Sequence, residues 1–185
     1  MTAIPQISQA AARLLAGEVL AYPTEAVWGL GCDPENEDAT RRLLAIKERP
    51  VDKGLILIAG SLEQVAHLLA SLTDHQRQAV EATWPGPTTW LIPDSDNLVP
   101  RWIKGEHHSV AIRVTAHPLA SQLCLAFGRP LVSTSANLAG HPAARTAEEV
   151  LTWLGSRIDG LVPGALGQEA SPSRIIDLIS GATLR

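Results

Sequence analysis

Five consecutive apolar residues, Leu55-Ile56-Leu57-Ile58-Ala59, constrain this chain more than any other stretch. A continuous apolar run of this length is the mark of a strand buried on both faces. Such a strand needs a sheet with helices packed against it, which is α/β architecture. The 185 residues are 45% hydrophobic and 18% charged, enough apolar material for one real core and too much for a disordered chain. One domain spanning 1–185, built on a mixed twisted sheet, is the economical expectation, because no repeat, low-complexity tract or long polar linker divides the chain.

The other elements follow from periodicity and punctuation. Ser8 is placed to cap a first helix through Leu15, with Gly17 as its stop. Val19–Tyr22 reads as a strand ending at Pro23, and Asp38–Lys47 as a helix with Glu35, Glu37 and Asp38 at its positive end. Pro50 ends that helix by pushing Arg49 out of helical geometry. Ser61 with Gln64, Thr73 with Gln76 and Thr146 with Glu149 have capping-box spacing. Further strands are expected at Thr88–Ile92, Ser109–Val114 and Leu131–Thr134, with a last pair near Arg174–Leu178 and Ala182–Leu184. Pro118 suits the first position of a helix that stops at Gly128.

Fifteen Lys and Arg against nineteen Asp and Glu leave a formal charge of −4, which argues against coating nucleic acid by bulk electrostatics. The opening residues have no basic segment ahead of an apolar one, and no apolar run reaches the ~18 residues that span a bilayer. Cys32 and Cys124 are far apart and form no C-x-x-C pair, so they read as buried thiols in a reducing compartment. The expectation is a cytoplasmic protein with no membrane partner.

Two of the only three lysines lie in Lys47-Glu48-Arg49-Pro50-Val51-Asp52-Lys53. Held extended before the proline, Lys47 and Arg49 would point to one face, and Lys53 would re-enter it before the strand begins. Arginine offers a planar fork and lysine a point charge, a combination suited to nucleotide phosphates. The plainer alternative is a helix C-terminus complemented by cations. A second segment, Ser133-Thr134-Ser135-Ala136-Asn137, follows a buried apolar run, where α/β sheets bind ligands beyond strand ends. Turn chemistry alone also favours such residues. In the third, alternation puts Ser109, Ala111 and Arg113 on one strand face and Val110, Ile112 and Val114 on the other. Arg113 either pairs with a carboxylate of the chain or reads one on a ligand; the residues leave both open.

No Walker-type phosphate loop, G-x-G-x-x-G fingerprint or G-x-S-x-G elbow is present. The six histidines have no zinc-site spacing with an acidic partner, and His107-His108 reads as part of a solvated loop. Neither a structural metal nor a protein nucleophile is expected.

Taken together, Tyr22-Pro23-Thr24-Glu25, Lys47-x-Arg49-Pro50 and Ser133-Thr134-Ser135-Ala136-Asn137 resemble the signature of the YrdC/TsaC family of threonylcarbamoyl-adenylate synthases. Trp84-Pro85-Gly86-Pro87, Ala111–Val114 and Ser173–Asp177 agree, and the length suits the short bacterial form. The resemblance implies a YrdC-type open twisted mixed sheet flanked by helices, with a concave central cavity. It implies formation of threonylcarbamoyl-AMP and pyrophosphate from L-threonine, bicarbonate and ATP, with Mg2+ accompanying the ATP. The product would serve the N6-threonylcarbamoyl modification of adenosine 37 in tRNAs reading ANN codons, through TsaB/TsaD/TsaE-type partners and with scope for tRNA contact.

By the same resemblance, Lys47, Arg49, Ser135 and Asn137 match the catalytic tetrad around the triphosphate. Lys53, Ser109 and Arg185 match further ATP contacts, and Thr24, Arg113, Ser133 and Ser173 match threonine positions. The spacing of Arg185 from Asp177 differs from that in longer relatives, which also often carry threonine at Ala26 and histidine near Ile58. The threonine pocket is therefore expected to differ in detail. A competing reading is a tRNA or double-stranded RNA-binding module without adenylation activity, using the cavity and Arg101-Trp102-Ile103-Lys104. A third, carbamoyl-adenylate synthesis from carbamoyl phosphate, belongs to proteins with acylphosphatase-like and zinc-finger regions that this chain lacks.

Overall fold

The computed structural model describes residues 4–185. Six helices are α1 Ile4–Leu15, α2 Glu37–Ile46, α3 Asp74–Glu81, α4 Arg101–Lys104, α5 Pro118–Phe127 and α6 Ala147–Leu154. The strands are β1 Leu20–Pro23, β2 Trp28–Gly31, β3 Ile56–Ala59, β4 Thr88–Pro93, β5 Ser109–Val114, β6 Leu131–Ser135, β7 Gly160–Leu161 and β8 Arg174–Asp177. They form one mixed sheet in the order β7-β1-β2-β6-β3-β5-β4-β8. The apolar run of β3 lies inside it, parallel to β5 and antiparallel to β6. Among the described residues, no helix is long and apolar enough to cross a membrane.

Each sheet face has its own core. Ile7, Ala10, Ala11 and Leu14 of α1, at helical spacing, meet Leu119, Ala120, Leu123, Cys124 and Phe127 of α5 over Leu20, Tyr22, Ile58 and Leu131. On the other face Leu43, Val80, Ile103 and Val150 from α2, α3, α4 and α6 join Leu30, Leu57, Ile92, Ile112 and Val132 in the larger core.

Several expectations need correction. Ser8 is not a cap: α1 begins four residues earlier, and Ser8 lies on its exposed face. The Thr73 and Thr146 capping boxes form, but the Ser61 box does not. Gln64 instead accepts from Gly60 N and donates to Cys124 O, and only a 3-10 turn follows. Strand β2 was not foreseen, because two glycines in four residues lower strand propensity. Gly31 is required there: a Cβ would stand 2.6 Å from Val132 O and 2.7 Å from the Tyr22 ring. The last hairpin reduces to β8 and one bridge, Ile176 to Thr183.

Candidate active site

The register of the sheet places the site. One face carries, strand by strand, Tyr22, Gly29, Ser135, Ser133, Ile56, Ala111 and Leu91, with Ile175 on the neighbouring β8. The next positions along the strands bring Leu20, Gly31, Leu131, Ile58 and Arg113 to that same face. Helices α1 and α5 cover only part of it. The uncovered part, floored by the small residues Gly29, Ala111, Ser109, Ser133 and Ser135, is a cavity of about 500 Å³, a usual size for a ligand site. The cavity therefore lies over the face of the sheet. Strand β6 presents its carboxyl end and β1 the turn that follows it, β3 presents its amino-terminal end, and β5 lines the cavity from Ser109 to Arg113.

Two groups of polar side chains line it. The first is built around the end of α2. Its N-terminus is capped by the Asn36 side chain, with Glu37 and Asp38 in the first turn. Its C-terminus closes with Glu48 in the left-handed region (φ 52°), with Glu48 N donating to Ala45 O and Arg49 N to Leu44 O. This is a Schellman turn with glutamate where glycine is usual. The segment is thus not extended, and Lys47 and Arg49 diverge.

Lys47 is buried, and its ammonium donates to Ser135 O, Asn137 O and Asn137 Oδ1. All three of its donors are spent on the loop after β6, and Lys47 is not a lining residue. Burial, then the neighbouring Arg49 charge, push its ammonium down to about 8. Arg49 does line the cavity, braced by Lys53 O and Gly54 O. Exposed Lys53 stands beside it. Ser135 Oγ donates to Asn137 Oδ1, and Asn137 Nδ2 donates to His141 O, so the S-x-N loop is closed on itself at the wall.

The second group surrounds Arg113. Of its two open alternatives, the chain supplies a carboxylate: Arg113 Nη1 lies 2.5 Å from Glu25 Oε2, both side chains being about nine-tenths buried. Glu25 Oε1 accepts from Thr115 Oγ1 (2.7 Å) and Ala116 N (3.2 Å). Burial raises the Glu25 carboxyl, but the Arg113 charge and the Arg113 and Thr115 hydrogen bonds outweigh it and hold it below the usual range. Thr24 sits in the β1–β2 turn, its hydroxyl donating to Val27 O. Ser133 is on the floor, Ser173 shares a hydrogen bond with Thr89, and Arg185 donates to Ser173 O. Burial and then Arg113 push the Arg185 guanidinium down, so Arg185 stands with this group rather than with the lysines. Ser109 lines the floor at the start of β5.

The fold brings in residues that spacing did not reveal. Glu25, Lys104, His107 and His141 also line the cavity. Lys104 is held by buried Asp94 (2.8 Å) and Asn97, and the exposed ring of His107 abuts Gly54. Glu25 falls in the Tyr22-Pro23-Thr24-Glu25 motif and Lys104 in the Arg101–Lys104 cluster, but neither pattern marks them as cavity residues, and nothing local marks His107 or His141. Two expectations change. Ala26 lines the cavity, but Ile58 does not: it is fully buried among α1 and α5 residues, so a different side chain there would alter the core. The Arg101–Lys104 cluster is no open RNA surface either. Trp102 donates to Pro34 O, and Ile103 and Lys104 are buried.

Comparison with known proteins gives concordant matches. The Sua5/YciO/YrdC model, described as telomere recombination, matches residues 12–185. A Cellvibrio japonicus protein named threonylcarbamoyl-AMP synthase is 51% identical over 98% of this chain and 95% of its own length. One of the same name from Pseudomonas paraeruginosa is 54% identical over 96% of each. The crystal structure of P. abyssi Sua5 complexed with L-threonine is 34% identical with a TM-score of 0.85, covering 92% of this chain and half of that one.

Proposed function

The chain belongs to the Sua5/YciO/YrdC family, and from that premise we infer that its cavity makes threonylcarbamoyl-AMP and pyrophosphate from L-threonine, bicarbonate and ATP. The relatives at half identity over nearly their whole length are threonylcarbamoyl-AMP synthases, nucleotidyltransferase-type enzymes. The observation that carries the reading is a single cavity lined both by the Arg49/Lys53 and S-x-N group and by the Arg113 group. RNA binding without adenylation is not favoured.

Chemically, the threonine amine attacks bicarbonate-derived carbon, losing water and forming a carbamate. A carbamate oxygen then attacks the α-phosphorus of ATP, and pyrophosphate leaves. Neither bond needs a protein nucleophile, and burial pushes the thiols of Cys32 and Cys124 up to about 12, which keeps them inert. The cavity's contribution is alignment and neutralisation of developing phosphate charge. Arg49, Lys53, Ser135 and Asn137 line the phosphate side, with Ser109 as a further nucleotide contact and Arg185, which stands with the Arg113 group, reaching the nucleotide from the threonine side. Lys47 acts from beneath, shaping the S-x-N loop and lending its charge. Arg113, Thr24, Ser133 and Ser173 take threonine.

Among the described residues, no group of three or more His, Cys, Asp or Glu could hold a metal ion. Glu25, the one acidic side chain of the cavity wall, is engaged by Arg113. We propose that Mg2+ enters as part of the MgATP substrate. One domain over 1–185, residence in the cytoplasm and transfer of the threonylcarbamoyl group to adenosine 37 of ANN-reading tRNA by TsaB/TsaD/TsaE-type proteins complete the reading. Pyrophosphate release should require ATP, threonine and bicarbonate together; release that persists when threonine is omitted overturns it.

A further inference from the structure

Among the described residues, two buried side-chain polar atoms stand out, and they are adjacent: Arg113 Nε has no hydrogen-bond partner, and Glu25 Oε2 has none beyond its ion pair with Arg113 Nη1. One is an acceptor and the other a donor. Buried polar groups are normally satisfied, so such a pair calls for an explanation. A carboxylate has about four acceptor sites. Oε1 uses two on Thr115 Oγ1 and Ala116 N, whereas Oε2 has only the close approach of Arg113 Nη1.

Glu25 is also held with unusual thoroughness. The segment after β7 crosses it, with Gly167 N donating to Thr24 O and Glu169 N to Glu25 O. A Cβ on Gly167 would stand 2.8 Å from Glu25 Cα, so only glycine allows this approach. A plain counter-ion for Arg113 would not need its backbone and one oxygen both fixed while the other oxygen, enclosed beside the cavity, has Arg113 as its one partner.

We propose that Glu25 is the anchor for the α-amino group of the amino-acid substrate, so that Glu25 and Arg113 together read a zwitterion. This rests on the threonine reading given above. Arg113 receives the substrate carboxylate, and Glu25 Oε2 accepts a hydrogen bond from the amine. The pair is electrically neutral by itself, which suits a ligand end carrying one charge of each sign. An α-hydroxy acid of the same shape would offer Glu25 a weaker, uncharged donor.

The test is calorimetric titration of the full chain, in the presence of an unreactive ATP analogue, with L-threonine and with 2,3-dihydroxybutanoate of matching configuration. Wild-type protein should bind threonine roughly tenfold or more tightly than the hydroxy acid, as for a site built around a substrate N–H. In Glu25→Gln the threonine affinity should fall by about the same factor while the hydroxy acid changes little, so the preference collapses. If Glu25 acts only by orienting Arg113, both ligands weaken together and the ratio stays at its wild-type value, which overturns the proposal. Equal binding of the two ligands by wild-type protein overturns it without any variant, should Glu25→Gln fail to fold. Wild-type protein that binds the nucleotide but neither acid refutes the threonine reading itself.

Discussion

Two glycines of β2, two residues apart on one face of the sheet, should respond to alanine in opposite ways. Gly31 lies under the part covered by α1 and α5, and Gly29 under the cavity. At Gly31 a methyl would meet Val132 O at 2.6 Å, Tyr22 Cε1 at 2.7 Å and Tyr22 Oη at 2.9 Å. None of these can retreat easily. Val132 pairs with β3, and Tyr22 is fully buried with its hydroxyl donating to Val132 O. Overpacking of this kind costs about 1–3 kcal/mol, and a displaced buried hydroxyl adds about 1–3 kcal/mol. A total near 3 kcal/mol would lower the melting temperature by roughly 6–12 °C for a chain of this length.

At Gly29 the nearest atoms to a new methyl are Thr24 Cγ2 at 3.3 Å, Thr134 O at 3.5 Å and Ser133 Oγ at 3.6 Å. Stability should change by no more than about 1 kcal/mol. The methyl would instead fill the floor between Thr24 and Ser133, raising the KM for threonine about tenfold. Calorimetric melts and initial rates of pyrophosphate release measure both. A Gly31→Ala protein melting within about 2 °C of wild type, or a Gly29→Ala enzyme with unchanged KM, would refute the division of this face into core and cavity.

Glu48→Gly should stabilise the protein by about 0.5–1 kcal/mol in a urea titration, because a left-handed residue loses its Cβ strain; its 3.5 Å exposed pair with Arg157 adds little to set against this. Lys47→Met should lose most of its activity as the S-x-N loop loses its bracing charge. The pH dependence of stability reports the same lysine. Its folded pKa, near 8, lies below the unfolded value of 10.5, so between these the unfolded chain binds more protons and the wild type gains stability as pH rises. Relative to Lys47→Met, that gain should approach about 1.4 kcal/mol per pH unit within the window. Asp94→Ala should cost about 3–5 kcal/mol by leaving the Lys104 ammonium buried and unpaired, and adding Lys104→Met should restore at least half, measured as a double-mutant cycle.

Strand β5 was legible residue for residue, because Val110, Ile112 and Val114 alternate with Ser109, Ala111 and Arg113, the local signature of one packed and one open face. Helix α5 was equally plain, bounded by Pro118 and by Gly128 in the left-handed region. The turn after α2 was not. Proline at 50 suggested an extended Lys47–Arg49, whereas tertiary packing of the S-x-N loop on Lys47 favours a Schellman turn through an unexpected glutamate. The site residues of the motifs all reach the cavity or its supporting loop, yet Glu25 was passed over. Its meaning depends on Thr115, 90 residues distant, and on Gly167 across the top, contacts that strand order creates and local pattern does not.

The most direct measurement is a structure of the protein with an unreactive ATP analogue and L-threonine bound together. The account predicts both ligands in the one cavity: phosphates against Arg49, Lys53, Ser135 and Asn137, with Lys47 still beneath the loop, and the threonine carboxylate on Arg113 with its amine on Glu25. Nucleotide bound outside this cavity, or threonine bound without touching Arg113, would contradict it.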